Sequence, residues 1–494
     1  MKLNSIDQVL QNAAQAFEIY KRVDAKVRSK ILRTIADEID ATADALVVTA
    51  TQESNLQEAR IKGEIGRTTG QLRSFANLLD DGQWVQATID VGDENRKPLP
   101  KPDLRKMNFP IGPIVVFGAS NFPLAFSTAG GDTASALAAG CTVIVKSHPA
   151  HPRTSILVAN AIAKSIATTN MPTNVFQHIE DSSIEVGQQL VAHPLTKGVA
   201  FTGSFQGGKS LFDLAAKRKE PIPVFAEMGS INPVVVLPSA VKENKLLPET
   251  LAASVLQGVG QFCTNPGLLI TVACEGIDDF VATLASTIAK STPAKMLHSG
   301  IASHYHKGKS HLLAQAGVTT LATVEEVDIE TTGAPALAVV SADHFIQNPT
   351  LSEEVFGPFS LVVKCANATE VLQVIQSLPG QLTASLFGSS LDVESHHALV
   401  DALHQRCGRL IFNGVPTGVE VCKAMHHGGP FPATTDARFT SVGNDAIYRF
   451  VRPISFQNAP AAILPAELKD ENPLNILRCV NNQWTTEKIV ITKG

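Results

Sequence analysis

Three observations predict an α/β protein with two doubly wound domains and a small β extension. Continuous apolar runs at 114–117 and 142–145 have the composition of buried parallel strands. An alanine-rich helical stretch at 128–139 lies between them, and strands that alternate with helices form doubly wound parallel sheets. The chain of 494 residues is also too long for one compact core, so two or more domains are expected.

The first part of the chain is predicted to be helical, because its apolar residues recur with a 3.6-residue period. Four such stretches are present: 5–17, 25–41, 44–58 and 60–79. Between 83 and 110 the pattern changes to alternating apolar and polar residues, a polar turn and a second extended run, which predicts a hairpin. The tail from Pro453 is rich in proline and asparagine, so we expect it to be irregular.

After the first two strands the alternation of strand and helix continues. A short strand is expected at 198–201 with a helix from about 206, and a second α/β unit is expected to begin at Glu227. The strands predicted for this unit are 234–237, 268–272, 337–340, 359–363 and 409–415, and its helices are 246–257, 277–290 and 368–378.

Composition and charge exclude several classes of protein. The net charge of −5, without a long run of one sign, argues against nucleic acid or an anionic membrane as the main partner. No apolar run reaches the roughly 18 residues of a membrane span. The seven cysteines are scattered without a CxxC pair, which argues against a disulfide framework. Asp7 and Gln8 lie where a signal peptide needs an apolar core, so we expect a cytoplasmic protein.

One cysteine and one carboxylate stand out as candidate catalytic residues. Cys263 lies in QGVGQFCTNP, and Glu227 lies inside the apolar run FAEMGSINP. A cysteine with a separate carboxylate suggests covalent thiol catalysis, in which the carboxylate is the general base for water. The other six cysteines have no comparable context, and we interpret them as structural.

Three further stretches accompany these two: FGASNFPLAFSTAGGDTASALAAGCTVIVKSHPAHP at 117–152, VAFTGSFQGGKSLFDLAA at 199–216 and SEEVFGPF at 352–359. In this order and at these spacings the five motifs resemble the aldehyde dehydrogenase superfamily, from about residue 5 to residue 456. The resemblance implies NAD(P)-dependent oxidation of an aldehyde to a carboxylic acid. The thiolate of Cys263 would form a thiohemiacetal and then, after hydride transfer to the nicotinamide, a thioester that water activated by Glu227 hydrolyses. The side chain of Asn121, in the NFP motif, and the backbone N–H of Cys263 would stabilise the oxyanion.

The resemblance also implies a cofactor site and a domain plan. The residues that would bind the cofactor are Lys146, His148, Gly203, Ser204, Gly208, Glu354 and Phe356. Residues 1–82 and 110–226, with a return of the chain at about 425–450, would form the nucleotide-binding domain. Residues 227–424 would form the catalytic domain, and 83–109 with about 451–494 would supply strands and a tail for a homodimer or homotetramer.

One departure from the family concerns the cofactor. Relatives that prefer NAD often carry a glutamate three residues after this lysine, but Pro149 follows Lys146 at that spacing here. A carboxylate there would repel a 2′-phosphate. Without it, and with His148 or Lys209 nearby, we expect NADP to be at least as good a cofactor as NAD.

A second departure concerns the substrate. The run HHGGPFPATTD at 426–436 resembles the branch with 2,5-dioxopentanoate dehydrogenases and NADP-linked fatty aldehyde dehydrogenases. A dioxopentanoate needs donors for its carboxylate, and we expect Arg67 and Gln71, one helical turn apart, to supply them. Phe122 and Phe262 flank the catalytic motifs and would form a wall of the pocket. We favour the semialdehyde; the alternative is a medium- or long-chain fatty aldehyde.

Other classes receive less support. A CoA-acylating dehydrogenase shares the thioester but need not keep Glu227, and a non-catalytic relative need not keep the catalytic residues together. No metal site is expected. His148 and His151 are separated by a proline, and the group of His397, His404 and Cys407 does not match a zinc pattern.

Overall fold

The computed structural model describes residues 3–490. Its α-helices are numbered in chain order and are α1 (Leu3–Tyr20), α2 (Ala25–Ala41), α3 (Ala43–Ser54), α4 (Glu58–Asp81), α5 (Gly131–Ala139), α6 (Pro152–Thr168), α7 (Ile184–Ala192), α8 (Phe205–Ala216), α9 (Pro238–Glu243), α10 (Leu247–Leu256), α11 (Ile277–Ala289), α12 (Ser299–Leu313), α13 (Ala342–Gln347), α14 (Ala368–Ser377), α15 (Ser390–Ser395) and α16 (His397–His404).

The strands form three larger sheets and one short pair. They are β1 (Thr88–Asp90), β2 (Leu104–Pro110), β3 (Ile114–Phe117), β4 (Val143–Lys146), β5 (Phe176–Ile179), β6 (Gly198–Thr202), β7 (Val224–Glu227), β8 (Val234–Val236), β9 (Leu268–Val272), β10 (Ala294–Lys295), β11 (Thr319–Thr323), β12 (Thr332–Gly333), β13 (Ala336–Ser341), β14 (Phe359–Cys365), β15 (Gln381–Phe387), β16 (Cys407–Phe412), β17 (Val451–Gln457), β18 (Arg478–Val480) and β19 (Gln483–Thr485).

The first sheet is entirely parallel, in the order β5-β4-β3-β6-β7. Its central strands carry Val and Ile on both faces because helices cover both faces, so they read as continuous apolar runs. The strands predicted at 114–117, 142–145 and 198–201 are present. β5 was not predicted, because its sequence FQHI lacks an apolar run. β6 and β7 end at the edge of the sheet where the catalytic carboxylate lies.

The second sheet has the order β11-β13-β14-β9-β8-β15-β16, parallel except for β11 at one edge. Apolar clusters lie on its two faces. β15 was missed by the sequence pattern because polar residues recur along QLTASLF, yet every residue of the strand is buried. Gln381 and Thr383 instead hydrogen bond to the loop that precedes β8, and these bonds satisfy the polar groups inside the core.

The third sheet joins the hairpin to the end of the chain, in the order β17-β2-β1-β18-β19. β17 pairs antiparallel with the whole of β2, and β18 pairs parallel with β1. The last part of the chain thus contains the strands β17, β18 and β19, and the expectation of an irregular tail was wrong there. Their turns carry asparagines at 458, 472, 475, 481 and 482 with positive φ, the conformation that asparagine tolerates better than most residues.

The predicted α/β fold class is confirmed by these parallel sheets. Within residues 3–490, no helix is both long and apolar enough to cross a membrane. The cleft between the first and second sheets brings together the end of β7, the loop before β9 and the segment before β17, and the candidate site lies there.

Candidate active site

The loop that carries Cys263 has an unusual backbone. Gly258, Val259 and Gly260 all have positive φ values, of 57°, 57° and 64°. This conformation is strained for Val259, which is β-branched. A Cβ atom on Gly260 would lie 2.2 Å from the Gly357 backbone, so only glycine fits there. The loop is thus packed tightly against the GP turn of the SEEVFGPF motif.

A buried amide holds this loop from the other side. Asn232 Nδ2 donates to the carbonyl oxygens of Cys263 and Asn265, both at 2.9 Å. Its Oδ1 accepts from Thr383 Oγ1 at 2.9 Å. Because all these groups are buried, losing the amide would leave several polar atoms without partners. Asn232 therefore holds the loop of Cys263 in position. It belongs to the FAEMGSINP motif, but its local sequence gave no sign of this role.

His427 connects the two candidate catalytic residues. Its Nε2 lies 3.5 Å from Cys263 Sγ and 3.0 Å from Glu227 Oε1. His427 is 1% exposed and Glu227 is 4% exposed. His427 belongs to the HHGGPFPATTD run, but it was not predicted as a site residue.

The two candidate catalytic groups differ in protonation. Burial raises the pKa of the Cys263 thiol well above its usual range, and the Glu227 carboxylate adds to this rise, while Arg67 opposes it. For Glu227, burial favours the protonated form. The interaction with His427 and the hydrogen bonds from His427, Ser441 and Cys263 outweigh burial, so the pKa of Glu227 is lowered. The resting site therefore contains a neutral thiol beside an ionised carboxylate.

The segment 440–442 fixes both His427 and Glu227. Thr440 Oγ1 accepts from the His427 N–H at 2.9 Å, and the Ser441 N–H donates to the His427 carbonyl at 2.9 Å. The Ser441 hydroxyl donates to Glu227 Oε2 in a short hydrogen bond. A side chain held by charge-assisted bonds of this kind keeps its orientation during a reaction.

A cavity of about 270 Å³ opens beside the Cys263 thiol. The residues that matter most to its chemistry are Arg60, Arg67, Phe122, Phe262 and His427. The Arg67 guanidinium has its Nε and Nη2 buried without a hydrogen-bond acceptor among the described residues. It lies over the rings of Phe122 and Phe126, at 5.6 and 5.1 Å. A buried guanidinium without an acceptor is the chemistry that an anionic ligand completes.

The residues around Arg67 are placed differently. Arg60, which was not predicted as a substrate residue, lies over the predicted Phe122 and Phe262, at 4.3 and 4.7 Å, and is paired with Glu64 at 3.0 Å. Gln71 is 4% exposed and does not line the cavity, because its amide is directed at Gly131 instead. The prediction that Gln71 would contact the substrate carboxylate is therefore not supported by its position. Spacing along the helix placed it near Arg67 but could not show what lies opposite.

The proposed oxyanion donors lie next to the nucleophile. Asn121 Nδ2 donates to the Gln261 carbonyl at 3.2 Å, which leaves its second N–H free to bind another acceptor. The Cys263 N–H has no acceptor among the described residues. Both groups are therefore free to bind an oxygen that develops charge beside the sulfur.

The predicted cofactor residues surround the carboxyl ends of β4 and β6 in the first sheet. Lys146 ends β4 and is nearly buried; burial lowers the pKa of Lys146, and Asp181 opposes this. His148 packs against His151 and His298, with ring centroids 5.4 and 6.2 Å apart. Burial lowers the pKa of His148 to about 3, and His151, His298 and Lys146 contribute further. The Ala150 N–H donates to His148 Nδ1, so the neutral ring carries its proton on Nε2.

The remaining predicted cofactor residues are also consistent with a dinucleotide. Ser204 caps α8 by accepting from the Gly207 N–H at 3.2 Å, and the Gly208 N–H donates to the Ser204 carbonyl at 3.0 Å; a helix N-terminus of this kind can bind a pyrophosphate. Across the cleft, Glu354 Oε1 accepts from the Ser230 N–H at 3.3 Å. A Cβ on Gly229 would lie 2.6 Å from the Glu354 carboxylate, so glycine permits this close approach. Phe356 lies near Glu354 and Ser230 at the edge of the same cleft.

This arrangement agrees with the comparison to known sequences, in which the profile of the aldehyde dehydrogenase family matches residues 1–430. The chain belongs to the aldehyde dehydrogenase family. It is 46% identical over 474 residues to alpha-ketoglutaric semialdehyde dehydrogenase 2 of Azospirillum brasilense, covering 96% of this chain and 90% of the relative. It is 45% identical over 486 residues to alpha-ketoglutaric semialdehyde dehydrogenase of Acinetobacter baylyi, covering 98% and 92%.

Solved structures agree with this aldehyde dehydrogenase in fold. Aldehyde dehydrogenase 21 of Physcomitrella patens, solved with the reaction product succinate, matches with a TM-score of 0.78 at 19% identity, covering 94% of this chain and 92% of that chain. A betaine aldehyde dehydrogenase of Staphylococcus aureus in complex with NAD+ matches with a TM-score of 0.76 at 19% identity, covering 92% and 89%. The resemblance inferred from the motifs is thus confirmed. This aldehyde dehydrogenase is an oxidoreductase, and its family uses NAD or NADP.

Proposed function

We propose that this aldehyde dehydrogenase oxidises 2,5-dioxopentanoate, which is α-ketoglutaric semialdehyde, to 2-oxoglutarate. The observation that carries the substrate proposal is the half-buried Arg67 side chain, which lines the cavity beside Cys263 and has no hydrogen-bond acceptor for Nε and Nη2 among the described residues. The carboxylate of the semialdehyde would supply that acceptor, while its aldehyde carbon lies at the sulfur. The two relatives named for the same reaction, at 46% and 45% identity, support this assignment.

The residues of the site suggest how the thiol is activated. The neutral Cys263 thiol needs a base, and the ionised Glu227 carboxylate, which shares a hydrogen bond with the thiol, is placed to accept its proton and pass it to solvent. The His427 Nε2–H, 3.0 Å from Glu227 Oε1, would hold the carboxylate in position for this transfer. The thiolate then adds to the aldehyde carbon, and Asn121 with the Cys263 N–H binds the oxyanion.

The thiohemiacetal must next lose a hydride, and the nicotinamide ring of the bound cofactor supplies the acceptor for it. Loss of the hydride converts the thiohemiacetal on Cys263 into a thioester. Glu227 is ionised at rest, so it can accept a proton from the water that attacks the thioester. The Ser441 hydroxyl would hold the carboxylate in place for that transfer.

The fatty aldehyde alternative fits the cavity less well. An alkyl chain needs an apolar funnel, whereas two guanidinium groups lie in the wall of this cavity. Arg60 is paired with Glu64, but methylene groups over Arg67 would remove its remaining hydration without supplying an acceptor.

The proposal is tested with the purified enzyme, 2,5-dioxopentanoate and decanal in parallel, with pentanal as an uncharged aldehyde of equal carbon number. We expect the highest kcat/KM with the dioxo acid. Equal or higher efficiency with decanal would refute the semialdehyde assignment. The variant Cys263→Ala should abolish reduction of the cofactor with every aldehyde, and activity retained in this variant would refute thiol catalysis.

We also propose that NADP is used at least as well as NAD. Pro149 replaces the carboxylate that would repel a 2′-phosphate, and the Lys146 ammonium lies at the end of β4. His148 contributes no charge near neutral pH, but its Nε2–H can donate a hydrogen bond. The two cofactors are compared by kcat/KM at saturating aldehyde. A strong preference for NAD, with Lys146→Met affecting both cofactors equally, would contradict the proposal.

A homo-oligomer that forms in the cytoplasm is the last part of the proposal. Leu99, in the loop between β1 and β2, is 69% exposed and Trp484, in β19, is 63% exposed; both are apolar surface that a second copy would cover. The described cysteines are all free, as expected in a reducing compartment. Sedimentation velocity should give a dimer or tetramer, and Trp484→Glu should dissociate it. A monomer at micromolar concentration would contradict the oligomer.

A further inference from the structure

Three ligand atoms of different chemistry converge at the nucleophile. Cys263 Sγ, His427 Nε2 and a Glu227 carboxylate oxygen all lie within 4.8 Å of one another. These residues are far apart in the sequence, so no metal-binding spacing could have indicated them. We propose that this triad is a reversible Zn²⁺-binding site and that zinc binding switches the enzyme off.

The distances match a tetrahedral zinc ion. With Zn–S of about 2.3 Å and Zn–N of about 2.1 Å, sulfur and nitrogen ligands lie about 3.6 Å apart; nitrogen and oxygen ligands lie about 3.4 Å apart. The observed separations are 3.5 Å for Cys263 Sγ to His427 Nε2 and 3.0 Å for His427 Nε2 to Glu227 Oε1. The sulfur and the carboxylate oxygen, which lie within 4.8 Å of each other, need to approach by at most about 1.2 Å to complete the set.

The chemistry and charge of the triad also suit zinc. Thiolate, imidazole and carboxylate are the three ligand types that Zn²⁺ accepts, and sites with three protein ligands keep a fourth position open. The cavity of about 270 Å³ beside Cys263 and His427 leaves that position accessible. One thiolate and one carboxylate balance the two positive charges, so the occupied site would be neutral, whereas the free site, with a neutral thiol and an ionised carboxylate, carries one negative charge.

Binding would change only protons and coordination. The S–H bond of Cys263 breaks, the sulfur electron pair forms a bond to zinc, and the proton is released to solvent. The imidazole proton lies on Nε2 at rest, where it bonds Glu227, and would move to Nδ1 on binding, so that Nε2 can coordinate. Nδ1 has no partner among the described protein groups, and a cavity of about 20 Å³ is lined by Glu227, His427 and Ser441. That volume can hold one water, which would accept the proton on Nδ1 and orient the ring.

Zinc bound in this way would prevent catalysis, since a coordinated sulfur cannot attack an aldehyde. Inhibition should be competitive with the aldehyde and reversed by a chelator. The site depends on the triad and not on which aldehyde is the substrate. Its test can therefore be made without aldehyde or cofactor, so failure of the zinc proposal would leave the proposed function untouched.

The experiment is calorimetric titration of metal-free enzyme with Zn²⁺. We expect one ion per chain, and binding weakened about tenfold or more in His427→Asn and in Glu227→Gln, since loss of a metal contact costs at least this much. The exposed Cys422 and the neighbouring His426 provide matched controls, and Cys422→Ser and His426→Asn should bind as wild type does. Equal affinity in His427→Asn, or loss of binding in Cys422→Ser, would overturn the proposal.

Two measurements on the unaltered enzyme protect the test against variants that fold poorly. Co²⁺ in place of zinc should give the intense visible absorption of a tetrahedral site with a thiolate ligand. Zn²⁺ should also slow alkylation of Cys263 by iodoacetamide, and a chelator should restore the rate. An octahedral cobalt spectrum, or alkylation that zinc does not change, would count against the site.

Discussion

Replacing Arg67 by methionine provides the sharpest test of substrate recognition. The change removes the guanidinium but keeps an unbranched apolar side chain over Phe122 and Phe126. If Arg67 binds the substrate carboxylate, the variant loses the interaction with the dioxo acid. It loses nothing comparable with pentanal, which has no carboxylate.

The magnitude follows from the state of the guanidinium. Its Nε and Nη2 are desolvated and unpaired in the free enzyme, so the carboxylate bonds replace no existing protein bond. Hydrogen bonds to charged groups contribute about 1.5–3 kcal/mol each. A loss of about 3 kcal/mol corresponds to a fall of roughly 150-fold in kcat/KM for 2,5-dioxopentanoate.

The assay is initial rates of cofactor reduction with both aldehydes, for wild type and Arg67→Met. The control is Arg73→Met on the same helix, because Arg73 pairs only with the exposed Asp37 and Asp40 and should leave both substrates unaffected. A loss that is equal for pentanal and the dioxo acid would show that Arg67 supports the fold or the thiol. No loss with the dioxo acid would refute the carboxylate site.

Three other predictions concern the neighbouring groups. His427→Asn should slow the first turnover of cofactor reduction, because the Nε2–H that holds the Glu227 carboxylate is lost; an unchanged burst in stopped flow would exclude that role. Ser441→Ala should lower the burst rate and the steady-state rate at least tenfold, because about 1.5–3 kcal/mol of hydrogen bonding to Glu227, the base of both steps, is lost; an unchanged burst would show that Glu227 does not accept the thiol proton. The folded pKa of His148, about 3, lies below its unfolded value of about 6.5, so the stability it contributes is present above pH 6.5 and is lost as the pH falls, by about 1.4 kcal/mol per unit. His148→Asn should therefore flatten the decrease in urea stability between pH 7 and 5.5, and an unchanged slope would contradict this.

Elements with a strong local pattern were predictable from the sequence, and elements stabilised by long-range contacts were not. Strands such as β3 and β4 are continuous apolar runs, because helices cover both faces of their sheet. β15 looks polar, but its glutamine and threonine hydrogen bond to a loop about 150 residues away. The period with which apolar residues recur, two in a strand and 3.6 in a helix, contains no information about hydrogen-bond partners that are distant in the sequence.

The same difference applies to the site. Cys263, Glu227 and Asn121 lie in motifs whose residues are close together in sequence, so a resemblance could assign them roles. Gln71 was predicted to bind the substrate carboxylate from its helical spacing to Arg67 alone. Its side chain packs against Gly131 instead of lining the cavity.

His427 shows why part of the chemistry requires the fold. It is separated from Cys263 by 164 positions and from Glu227 by 200, and its local sequence HHGGPF has the glycine and proline content of a turn. His427 is nevertheless almost fully buried. A buried polar side chain must find hydrogen-bond partners, and here the partners are the Cys263 thiol and the Glu227 carboxylate. Neither partner can be inferred from the residues around His427, so the roles proposed for it could be found only in the folded chain.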